Sequence, residues 1–132
     1  GLHDLKWMGP NGENLAEPNK AGNQPQVSIG DYKKNLEIIV RALKKTGAVL
    51  IWRNTTPVPK GARGRVVGDS IKYNAVALEV MKRHEIHVDD MYRYSLAKQI
   101  QIQRPKDVHF TREGSAFLGE KVAEAIRQHL KK

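Results

Sequence analysis

The run AVLIW at residues 48–52 restricts the fold of this chain more than any other feature. Five apolar residues in succession carry no two-residue alternation. A strand of that kind suits a sheet covered on both faces, with strand neighbours on its edges. Gly47, just before it, is the expected C′ stop of a helix. That helix reads as Asp31 to Thr46, with Tyr32, Leu36, Ile39, Val40 and Leu43 on one stripe. After the strand comes the loop RNTTPVPKGARGR, then a second amphipathic helix marked by Tyr73, Val76, Ala77, Val80 and Met81 and ending near His84. A short strand is expected at IHV, 86–88, and a short helix within Tyr92 to Gln101. Thr111 then caps a last helix carrying Phe117, Leu118, Val122, Ala125, Ile126 and Leu130. Helix, strand, helix, strand, helix is the order of an α/β fold with a parallel sheet.

One strong strand and one short one make a poor sheet by themselves. The chain also begins with Gly1 rather than Met. The expectation is that residues 1–132 are the C-terminal portion of a single larger α/β domain whose other strands precede this segment. Between the first residues and the first helix, MGPNGENLAEPNKAGNQPQVSIG, residues 8–30, shows no hydrophobic period and reads as a long loop.

Composition removes some function classes. With no Cys there is no disulfide, thiolate metal site or cysteine nucleophile. No apolar run approaches the ~20 residues of a membrane helix. The compartment stays open, secreted and periplasmic locations included. A net charge of +9 raises a non-enzymatic alternative, a basic module binding an acidic polymer or nucleic acid. The basic residues are spread along the chain, however, in nothing longer than a pair such as Lys33-Lys34 or the Lys131-Lys132 tail, and aromatics are 6%, few for a base-stacking platform. A solvated basic surface, with no nucleic acid bound, is the expectation.

Two stretches carry candidate chemistry. The first is Gly68-Asp69-Ser70, which spells a serine-esterase motif. A nucleophile at a strand-to-helix turn needs a buried strand behind it. Here PKGARGRVV precedes Ser70, with two valines after glycines and arginines. A helix follows, so Asp69 or Ser70 is expected to be its N-cap, accepting a backbone N–H. The second is RPKDVHFTREGSAFLGEKVAEAI, 104–126, where His109 sits just before a Thr-capped helix with Asp107 two residues earlier. A His beside a carboxylate on a loop fits a general base oriented by a hydrogen bond.

The second stretch resembles the C-terminal block of the SGNH (GDSL-type) hydrolase family. That block runs Asp, two residues, His, a hydrophobic residue, Thr, two residues, Gly and an amphipathic helix. His109, Phe110, Thr111 and Gly114 match it. GLHDLK at the start is similar to the family's Gly-x-Asn-Asp block, through Gly1 and Asp4, with His3 in place of Asn. YKKNLEIIVRALKKTGAVLIWRNTTPVP is similar to the family's helix and strand before a Thr-Pro loop.

The resemblance implies a flavodoxin-like three-layer α/β/α domain whose N-terminal strands lie outside this chain. It implies ester hydrolysis through an acyl-enzyme, on a small-molecule or carbohydrate ester, with no metal or cofactor. The family's nucleophilic Ser stands upstream of the Gly-x-Asn-Asp block, so Ser70 lies on the wrong side of it and residues 1–132 alone are expected to be inactive. His109 is the implied base, and a His3 N–H takes the oxyanion role of the family's Asn. The family places its Asp three residues before the His, where this chain has Lys106. Asp107 either reaches the imidazole from a turn or is an exposed loop residue; Asp89 and Asp90 are outside candidates.

Overall fold

Ser28, not Asp31, starts the first helix. Its Oγ accepts the backbone N–H of Asp31 at 3.1 Å, and its carbonyl accepts that of Tyr32. This and the rest of the fold were described from a computed structural model covering residues 1–130, so the Lys131-Lys132 tail lies outside the described residues. The elements are β1 (Trp7–Met8), β2 (Gln24–Pro25), α1 (Ile29–Lys44), β3 (Ile51–Arg53), α2 (Asp69–Arg83), β4 (His87–Asp89), α3 (Met91–Leu96), α4 (Gln99–Ile102) and α5 (Arg112–Leu130). No helix among the described residues is long and apolar enough to cross a membrane.

β3 and β4 pair in parallel, with Ile51 opposite His87, Trp52 opposite Val88 and Arg53 opposite Asp89. Side chains alternate across a strand. Trp52 and Val88 therefore share one face, and they pack on the core formed by α1 and α2. Ile51 and His87 share the other, where the His87 ring meets that of His129 on α5 at 4.1 Å between centroids. Helices thus lie on both sides of a small parallel sheet, α5 touching the second face through His129 while His87 stays exposed.

The core holds Tyr32, Leu36 and Val40 from α1 against Tyr73, Ala77, Val80 and Met81 from α2. Tyr32 and Tyr73 meet edge to face at 5.1 Å. Burial pushes both phenols up to about 12.

Three expectations differ from the structure. AVLIW is a strand only at its end, because β4 supplies partners to Ile51, Trp52 and Arg53 alone; Val49 is 66% exposed. On α1, Ile39 and Leu43 lie exposed while Tyr32, Leu36 and Val40 are buried. The 8–30 segment is not all loop, since β2 folds back antiparallel on β1.

The cap reading of Asp69 and Ser70 is also corrected. The N-cap of α2 is Gly68, at φ 90°, and no side chain caps the helix. Only a residue without a Cβ takes that left-handed conformation at no steric cost, so the capping position went to glycine. Asp69 accepts from Lys72 Nζ within the first turn instead, and Ser70 points inward, 1% exposed, its Oγ buried without a partner among the described residues.

Candidate active site

The loop between α4 and α5 is a built corner. Gln103 and Phe110 form an antiparallel bridge. Arg104 N–H donates to the His109 carbonyl at 3.0 Å, and Thr111 N–H to the Ile102 carbonyl at 2.9 Å. At the tip, Asp107 N–H donates to the Arg104 carbonyl at 3.2 Å, with Pro105 first and Lys106 at φ 57° second between them. Proline with a positive φ after it is the arrangement of a type II turn.

Below the tip, the buried Gln103 Nε2–H₂ donates to the carbonyls of Val108 (3.2 Å) and Pro57 (3.1 Å). That pair of bonds ties the corner to the chain leaving β3. On the other side Thr111 Oγ1 accepts the Gly114 N–H at 3.0 Å, so Thr111 caps α5 as expected. Gly114 itself is dictated by packing. A Cβ there would lie 2.2 Å from the Ile102 carbonyl oxygen, so only glycine lets α5 start this close to α4.

On this corner Asp107 reaches the imidazole. Its Oδ1 accepts the His109 Nδ1–H at 2.7 Å and the His109 backbone N–H at 3.1 Å. These two bonds hold the Asp107 carboxyl below the usual carboxylate range, the side-chain bond contributing most. A carboxylate can only accept, so the proton sits on Nδ1 and the lone pair on Nε2. The His109 side chain is 75% exposed.

Asp89 and Asp90 are occupied elsewhere. Asp89 pairs with Arg53 at 2.8 Å. Asp90 caps α3 and accepts from Asn54 Nδ2 at 2.7 Å.

His3 comes to the same cavity from the other end of the chain. Residues 1–5 make one turn, with Asp4 and Leu5 N–H groups donating to the Gly1 carbonyl, and Leu5 is fully buried. Trp7 N–H donates to the Gly64 carbonyl at 2.8 Å and Arg65 Nε–H to the Leu2 carbonyl at 3.1 Å. The 63–65 segment thus fastens the His3 turn in place. A cavity of about 410 Å³ is lined by His3, Asp107 and His109 together, with Leu15 of the 8–30 segment and Arg65 among its other walls. Gly64 lets that segment cross: a Cβ on it would lie 2.4 Å from the Leu15 Cα, and its φ is 63°. Ser70 is not among the residues lining the cavity. Sequence reading missed Gln103 and Arg65; a glutamine in AKQIQIQRP and one arginine among many carry no signal of their own.

No protein-family profile matches the chain, and no curated protein does. Among solved structures, a lipase/acylhydrolase from Enterococcus faecalis superposes with a TM-score of 0.69 at 19% identity, over 88% of this chain and 57% of that one. The chain thus spans little more than half the length of that neighbour. At this identity the likeness establishes the architecture, and the chain's small parallel sheet flanked by helices is an α/β fold similar to that of a lipase/acylhydrolase.

Proposed function

We propose that residues 1–132 form the C-terminal part of the domain of a serine ester hydrolase of SGNH (GDSL) type, acting through an acyl-enzyme. The observation that carries this reading is the Asp107–His109 pair: a 2.7 Å bond fixes the ring tautomer and turns a free Nε2 lone pair toward solvent on a rigid corner. That is the arrangement a general base needs.

In this reading a serine of the segment preceding residue 1 attacks the ester carbonyl. His109 Nε2 takes its proton and later passes it to the leaving alcohol. Asp107 holds the ring and stabilises the imidazolium. The His3 ring N–H donates to the oxyanion. Water then repeats the sequence on the acyl-enzyme. The fold likeness supports the reading. So does the edge of β3 that no strand pairs among the described residues, with the exposed Ile38 and Ile39 lining a cavity together with Trp52, where further strands of a larger domain would dock.

The test is 4-nitrophenyl acetate turnover by the natural full-length protein and its His109→Ala variant. The expected loss in kcat is about 10⁴-fold or more, since triad members act as a unit. Equal turnover by the two folded proteins would remove His109 from the mechanism.

A further inference from the structure

The cavity beside His109 has a one-sided charge. Lys6, Arg63, Arg65 and Lys106 line it, and Asp107 is the sole carboxylate side chain among the described residues on its walls. Asp107 is already engaged with His109. Among the described residues none of the four cations pairs with a carboxylate.

Arg65 is the informative one. It is partly buried, and burial lowers the pKa of its guanidinium, with the Asp107 charge opposing. Its Nε–H donates to the Leu2 carbonyl and its Nη1–H₂ to the Arg63 carbonyl. Backbone carbonyls hold the fork in place without neutralising it. A cation that is partly desolvated, oriented and unpaired costs free energy unless an anion answers it. Exposed lysines elsewhere, such as Lys45 and Lys82, also lack a carboxylate among the described residues, but solvent hydrates them, whereas Arg65 is partly buried and held by backbone carbonyls.

We propose that this basic wall is an anion subsite, and that the ester taken by the site carries a negatively charged group, a carboxylate, sulfate or phosphate, within reach of Arg65. The subsite would orient the substrate through a charge-assisted fork, with Lys6, Arg63 and Lys106 adding screened attraction at its mouth. The substrate class rests on the ester-hydrolase reading; the anion subsite itself does not.

The experiment uses the full-length protein and two matched ester pairs. One places the charge on the alcohol part, 4-acetoxybenzoate against its methyl ester. The other places it on the acyl part, mono-4-nitrophenyl adipate against 4-nitrophenyl hexanoate. In at least one pair the charged ester should have the higher kcat/KM. Arg65→Gln, which keeps a donor for Leu2, should lower that charged-to-neutral ratio about 30-fold, the scale of one hydrogen bond between ionised groups. Arg63→Gln, at an exposed position, should lower it about 3-fold and serves if the Arg65 variant misfolds.

Titration with inorganic phosphate and with acetate, followed at the Arg65 Nε–H resonance, supplies a readout without turnover. A shift that 0.5 M NaCl suppresses supports the subsite even if no ester is cleaved, in which case the hydrolase reading falls and the subsite stands. Cleavage of charged and neutral esters with equal kcat/KM, unchanged in both variants and with no phosphate or acetate shift, would overturn the subsite and leave the hydrolase reading intact.

Discussion

Two short segments of this molecule carry a reactive-looking side chain at the start of a helix, and their surroundings are opposite. At the start of α2, Ser70 is buried, its hydroxyl without a partner among the described residues and off the cavity walls. At the start of α5, His109 stands out on a hydrogen-bonded corner with Asp107 fixed at 2.7 Å and a cavity beside it. The spelled motif belongs to the first and the usable geometry to the second. A general base needs a fixed tautomer, a free lone pair and room for a substrate, and three letters in a row supply none of these.

The predictions sharpen that contrast. After the loss expected for His109→Ala, the next largest effects fall on its two helpers. Asp107→Asn keeps the shape but can donate to Nδ1 and favour the wrong tautomer; kcat of the full-length protein should drop about 10²-fold, less than in a fully buried triad because Asp107 is partly solvated. His3→Ala should cost roughly 10²-fold in kcat with KM little changed, while His3→Asn keeps most activity. Steady-state kinetics separates these outcomes, and Ala and Asn variants of His3 that behave alike would end its oxyanion role. Its bonds to His109 hold Asp107 below the usual carboxylate range, so it stays ionised through the pH range in which an ordinary carboxylate takes up its proton. The acid limb of kcat/KM should then carry no step from protonation of Asp107 in the usual carboxylate range, and such a step would count against the pair acting as described.

Gly114→Ala tests the corner through its packing. The added methyl meets the Ile102 carbonyl, and denaturant unfolding should show a loss of about 2 kcal/mol, in the range for overpacking. Wild-type stability would mean that α5 moves freely against α4. The smallest effect is expected at Ser70. Ser70→Ala removes a buried hydroxyl that has no partner, so stability should change by less than about 1 kcal/mol, in the stabilising direction, and ester hydrolysis should be unaltered. A loss above that size would restore a capping or catalytic role to the side chain.

Much of the fold was legible because it rests on periodicity. The buried positions Tyr32, Leu36 and Val40 of α1, the stripe of α2, a strand one residue beyond the expected 86–88 and the Thr111 cap all follow from local pattern. The exposed Ile39, Leu43 and Val49 departed from expectation because an apolar pattern marks residues that favour burial and does not specify which neighbours reach them. In the site, Asp107 and His109 were readable as neighbours in sequence, and their bond follows from the tight turn that Pro105 and Lys106 form. The bonds from Gln103 to Pro57 and from Arg65 to Leu2 join residues far apart in sequence, and no local spacing encodes them. The Ser70 cap failed for a local reason: Gly68 took the capping position in a left-handed conformation.

The most direct test of the account is covalent labelling of the natural full-length protein by a fluorophosphonate, mapped by peptide mass spectrometry with and without His109→Ala. The account predicts one labelled serine, in the segment preceding residue 1, with labelling lost in the His109 variant. A label on Ser70, or labelling indifferent to His109, would contradict it.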